Sequence, residues 1–116
     1  MNMAHHKNVF NIFVGHFISY FWLLRHIMLS LLALVILDAI VIALVEGISI
    51  GNSMYFSFIT AFTIGYGDIT PVTIIGKVLS IIIGLIGIIF TGLVVAIATR
   101  ALVTTIEEEK RIKKIK

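Results

Sequence analysis

Thr63-Ile64-Gly65-Tyr66-Gly67-Asp68 is the stretch on which the fold turns. An extended L-peptide points successive carbonyls to alternate sides, whereas glycine takes positive φ without steric cost. Gly65 and Gly67 alternate with Ile64 and Tyr66. The backbone carbonyls from Thr63 to Tyr66 can therefore face one axis, with the Thr63 hydroxyl below them. Such a row replaces the water shell of a cation inside a membrane. The side chains of Ile64 and Tyr66 then point away from the axis and need a scaffold. Tyr55, Phe56, Phe58, Ile59 and Phe62 precede them and are candidates for it. One chain supplies only one side of an axis, so the site requires a symmetric ring of copies.

The rest of the chain supports a lipid setting. Of 116 residues, 59% are hydrophobic and 13% charged, and the mean hydropathy is +1.12. Soluble domains are about a quarter charged, and a chain this small could not hide so much apolar surface in one core. There is no cysteine, which excludes a disulfide framework and a thiolate metal site. The net charge of +3 sits at the ends of apolar segments and implies no nucleic-acid partner. No small-residue cleavage site follows the first apolar stretch, so no signal peptide is expected.

Two segments are long and apolar enough to span. Residues 27–45 cover about 28 Å as a helix, against a hydrocarbon core of about 30 Å. Residues 74–102 cover about 43 Å and must tilt or protrude. Between them, SMYFSFITAF at 53–62 is too short to cross and too apolar for a solvated loop. A half-crossing helix that returns as extended chain fits both facts if protein surrounds it. Residues 8–24 carry Phe10, Phe13, Val14, Phe17, Phe21 and Leu24 at helical spacing, with Asn8, Asn11, Gly15 and Ser19 opposite. That pattern suits a helix lying in the membrane interface; the alternative is a simple extension of the first span. Eight of the nine Lys and Arg fall on one side of the spans, Lys77 alone on the other. The positive-inside rule then puts both termini in the cytoplasm.

The predicted fold is all-α and membranous: two transmembrane helices with a re-entrant pore helix and filter, in a homotetrameric channel. The predicted divisions are an N-terminal helix over 1–25, a pore domain over 26–102 and a short cytoplasmic tail over 103–116. Within the pore domain, the outer helix is expected at 26–46, the pore helix at 53–62, the filter at 63–68 and the inner helix at 73–102.

TIGYGD and its continuation ITPVTIIGK resemble the potassium channel family, in its voltage-gated and bacterial two-span members. The resemblance covers about residues 27–102. It implies passive potassium conduction by four subunits in a cell (inner) membrane, with K+ held at Thr63, Ile64, Gly65 and Tyr66 and the filter closed by Gly67. It implies no cofactor and no enzyme, the ion being cargo. By the same resemblance Gly87 is the expected inner-helix hinge, Glu46 an acceptor for amides near Val72 and Thr73, and Tyr55 a donor to Asp68. Ile59 stands where some bacterial members carry a buried glutamate, and Tyr55 where many carry tryptophan.

Other residues have plainer expectations. A constriction near Val95, Ala96 and Thr99 is expected to close the cytoplasmic mouth. Gly84 and Gly92 suit close helix packing. Asp38, an ionisable residue in mid-span, is expected to be neutral or hydrogen-bonded to a hydroxyl on a neighbouring helix. His5, His6, His16 and His26 lack ligand spacing and read as interfacial. No arginine-rich voltage sensor or ligand domain is visible. Gating then falls to the tail, lipid or pH, or to a missing or separate cytoplasmic regulatory domain. A transporter subunit would need four such loops in one chain, and a non-selective pore often loses the filter's Tyr or a Gly.

Overall fold

A computed structural model describes the backbone of residues 3–116 and the side chains from Asn8 onward. Four helices follow in order: α1 Met3–Leu23, α2 Arg25–Glu46, α3 Ile50–Ala61 and α4 Ile74–Ile115. They divide into two compact units, His26–Gly92 and a second made of α1 with the chain from Leu93 onward. α2 and α4 are both long and apolar enough to cross a membrane. The side chains of His5 and His6 lie outside the described residues.

The unit His26–Gly92 is built around α3. α2 buries Met28, Val35, Asp38, Ala39 and Ile42, a stripe whose last four members fall at helical spacing. Val35, Ala61 and Ile83 form a core from three helices, with Phe58 and Ile86 against it. Gly47, at φ +66°, lets the chain leave α2 in the left-handed conformation that stops a helix. Ser49 then caps α3, its hydroxyl accepting from the Asn52 amide at 3.2 Å. That cap starts the helix at Ile50, three residues before the expected position. With 12 residues α3 is about 18 Å long, too short to cross a membrane. Its Ser53 hydroxyl donates to the Ala39 carbonyl of α2.

In the other unit, α1 runs antiparallel to the end of α4. Tyr20 pairs with Thr104 at 3.1 Å and His16 with Glu108 at 2.7 Å. One partner number falls by four as the other rises by four. Ile97, Ala101 and Thr105 are buried on that same side of α4. The residues of α1 turned inward are Val9, Ile12, Phe13, Val14, His16, Phe17 and Tyr20, while Phe10 and Phe21 stay exposed. The expected aromatic stripe is therefore rotated. His16, expected to be merely interfacial, is half-buried and held by a carboxylate. Instead of ending near residue 102, α4 continues to Ile115. Its last turns gain a Glu109–Lys113 ion pair at 2.8 Å, and Lys113 and Lys114 suit the negative end of the helix dipole.

Candidate ion-conducting site

The filter loop leaves α3 by sharing its carbonyls. Phe62 N–H donates to the Phe58 carbonyl at 2.9 Å and Thr63 N–H to Thr60 at 3.1 Å. Ile64 and Gly65 both donate to the Ile59 carbonyl, at 2.8 and 3.1 Å. The entry amides are thus satisfied by the helix, which leaves the loop's own carbonyls free to bind something else. Positive φ occurs at Thr63 (60°), Gly65 (57°) and Gly67 (80°). Every second residue is left-handed, as a row of carbonyls facing one axis requires. Glycine does this freely. Thr63 was not legible as part of the alternation, because a β-branched residue at positive φ is an outlier. Such a residue stores about 1–3 kcal/mol of strain, and its hydrogen bond to Thr60 helps hold it.

The chain just beyond the loop is held by Glu46. Its carboxylate accepts from the Val72 amide at 2.8 Å and the Thr73 amide at 3.0 Å. The Thr73 hydroxyl donates to it as well, while accepting from the Gly76 amide at 3.0 Å. Thr73 is therefore the N-cap of α4, and Glu46 ties that cap to the end of α2. The carboxylate also sits where the helix dipole favours negative charge. Gly76 belongs to this site although nothing in the sequence pattern marked it. A Cβ there would overlap the Glu46 carboxylate and crowd the Thr73 hydroxyl.

Tyr55 lies against Asp68. Burial first, and then the hydrogen bond to the Asp68 carboxylate and its charge, raise the phenol above its ordinary pKa. The hydroxyl therefore stays protonated and remains a donor at neutral pH. Tyr55→Phe keeps the ring and deletes that donor. The expected outcome is a faster decay of sustained current at low external potassium, by a few-fold. Identical decay in variant and parent would remove the hydrogen bond from the filter's support.

The expected aromatic scaffold is only partly present within one chain. Phe56 and Ile59 are each 7% exposed and belong to the interior of the unit. Ile64 and Tyr66 stay 51% and 70% exposed, as do Tyr55 and Phe62 in part. The apolar backing of the filter is therefore incomplete in a single copy.

The α4 glycines differ in what surrounds them within the chain. A Cβ on Gly87 would overlap the backbone carbonyl of Ala61, at the end of α3, whereas Gly84 and Gly92 face open space. Of these three, Gly87 is the one packed closely within the chain. Val95, Ala96 and Thr99 lie exposed on α4, with the Thr99 hydroxyl turned back to the Val95 carbonyl at 2.8 Å. Asp38 is buried, as expected of a residue facing protein, but its Oδ2 has no partner. Among the described residues no cluster of His, Cys, Asp or Glu could hold a metal ion.

Two spanning helices, a half-length helix and a carbonyl-lined loop define the pore region of an integral membrane channel. The chain belongs to the ion channel family, whose profile, described as "Ion channel", matches residues 29–104. It is 36% identical over 86 residues to a protein described as probable potassium channel protein 2 of Methanocaldococcus jannaschii, covering 73% of this chain and 25% of that protein. TWiK family of potassium channels protein 9 of Caenorhabditis elegans is 48% identical over 48 residues, covering 41% and 8%. Potassium channel protein 1 of M. jannaschii is 38% identical over 53 residues, covering 46% and 16%. The chain spans a quarter or less of the length of these relatives. No solved structure matches it.

Proposed function

We propose that this chain is the pore-forming subunit of a potassium-selective channel, with four copies around the filter axis. The observation that carries this is the left-handed backbone at Thr63, Gly65 and Gly67. It supports a row of carbonyls, from Thr63 through Ile64, Gly65 and Tyr66, that replaces the hydration shell of a dehydrated K+. The relatives' names favour potassium as the ion. The bare faces of Ile64, Tyr66, Tyr55 and Phe62 favour a ring, since neighbouring copies would supply the missing wall. Glu46, with Asp68 and Tyr55, braces the filter from outside. Val95, Ala96 and Thr99 form the cytoplasmic constriction. Both termini are cytoplasmic, by the distribution of Lys and Arg.

Recording in planar bilayers with potassium on one side and sodium on the other tests this directly. The reversal potential is expected to follow the potassium gradient, and the purified protein to have the mass of four chains. A reversal potential indifferent to which cation is present would overturn the selectivity. A monomeric mass would overturn the ring.

A further inference from the structure

α1 hands over to α2 in one tight step, and the residues there mark a membrane boundary. The Leu24 amide donates to the Tyr20 carbonyl at 3.1 Å, and α2 starts at Arg25. With 22 residues α2 is about 33 Å long, against a hydrocarbon core of about 30 Å, so Arg25 falls at one edge of that core. α4 agrees. The register set by Tyr20–Thr104 and His16–Glu108, continued by one turn, brings Arg100 to the level of Leu24. Arg100 ends the uncharged run of α4 that begins at Val78. Two apolar segments thus meet charge at one level.

Arg25 turns back from the span. Its guanidinium lies over the Trp22 ring, 5.1 Å from the centroid, as a cation at the hydrocarbon edge does when it snorkels to the headgroups. Trp22 is 59% exposed, and its neighbours Phe21 and Leu23 are exposed as well. An indole at this level suits the headgroup zone. No Asp or Glu precedes Asp38 in the sequence, and the first turn of α2 holds no acid. Of the acids on the end of α4, Glu108 meets His16 and Glu109 meets Lys113. Among the described residues no carboxylate pairs with Arg25, whose planar fork of N–H donors matches a phosphate. The positive end of the α2 dipole adds to the same field. A choline ammonium would need an aromatic face, and the Trp22 face beside Arg25 is taken. The chemistry therefore favours an anionic headgroup over a choline one.

We propose that Arg25 and Trp22 form a binding site for the phosphate of an anionic phospholipid, the ring holding the guanidinium and the guanidinium donating to the phosphate oxygens. α1 covers the side of α4 that buries Ile97, Ala101 and Thr105, and Val95 and Thr99 lie on the side turned away from it. Trp22 therefore sits on the outside of the ring proposed above, within reach of lipid. Only that outward placement rests on the proposed ring; the contact between Arg25 and a phosphate does not.

The chain holds a single tryptophan, Trp22, so its fluorescence reports this site alone. The full chain is reconstituted in phosphatidylcholine vesicles that carry, at equal mole fraction, either brominated phosphatidylglycerol or brominated phosphatidylcholine as quencher. The brominated phosphatidylglycerol is expected to be enriched about two- to fivefold around Trp22. Arg25→Gln should reduce that preference to none, and Arg25→Lys, which keeps the charge without the fork, should retain part of it. Glycerol phosphate in solution should leave the quenching unchanged, which separates a lipid headgroup from a free phosphate. Equal quenching by the two lipids in the parent overturns the anionic site. A preference that survives in Arg25→Gln overturns the role of Arg25, and one abolished by glycerol phosphate overturns the lipid as its source. No quenching by either lipid means that another copy covers Trp22, which overturns the site as well. All these readings are independent of potassium conduction, so a failed channel leaves the lipid site standing and the reverse.

Discussion

Alanine at Gly67 is expected to abolish potassium preference while leaving the membrane helices folded. Gly67 holds φ +80° with open space around its α-carbon. The obstacle to a side chain there is thus conformational, not a collision. Forcing an L-residue into the left-handed region costs roughly 1–2 kcal/mol. In the ring of four copies proposed above, that cost multiplies to about 4–8 kcal/mol. In the proposed filter, turning the peptide back to negative φ relieves the strain and swings a carbonyl off the axis, which would remove an ion ligand. The measurement is the reversal potential under mixed potassium and sodium, beside circular dichroism for helix content. Retention of the parent's potassium-over-sodium reversal potential would exclude Gly67 from the filter. D-alanine at the same position, introduced by semisynthesis, should restore selectivity, because it accepts positive φ.

Alanine at Gly87 should be nearly as damaging, for a different reason. Its Cβ would enter the space of the Ala61 carbonyl, a backbone group that cannot swing aside as a side chain can. The end of α3 must move, and the filter amides hung from that helix move with it. Overpacking of this kind costs about 1–3 kcal/mol per copy. A hinge alone predicts lower open probability with unchanged stability and unchanged unitary conductance. Close packing predicts a lower Tm together with altered unitary conductance or selectivity. Gly84→Ala is the control, since its Cβ meets nothing within the chain and alanine favours a helix by about 1 kcal/mol over glycine. A Gly87→Ala protein with the parent's Tm and conductance would sink the packing role.

Much of the site was legible because its chemistry lies in the backbone. Alternating glycines announce alternating φ without knowledge of any contact, and apolar runs of 19 or more residues announce lipid-spanning helices by length alone. The half-length apolar segment betrayed α3 by being wrong for every other role. The Glu46 contacts with Val72 and Thr73 were anticipated only through family resemblance. Nothing local in the sequence says that a carboxylate 26 residues upstream will meet those amides.

Other features depend on distances between helices, which no local pattern encodes. Gly84, Gly87 and Gly92 look alike in sequence, and α3 selects the middle one by ending against it. Gly76 resembles any glycine in the first turn of a helix until the Glu46 carboxylate is seen in the space its Cβ would fill. The length of α4 was underestimated because its last turns are polar, and hydropathy finds spans, not helices. Helix formation there follows from side-chain pairs, Glu109 with Lys113 along α4 and Glu108 with His16 on α1. Residue order thus determined two membrane spans, a short helix between them and the alternating backbone of the loop that follows, because backbone geometry and hydrophobic length are local properties. Packing alone decided which of the α4 glycines meets the end of α3, which histidine meets a carboxylate and where Asp38 lies, because each depends on how closely two distant helices approach.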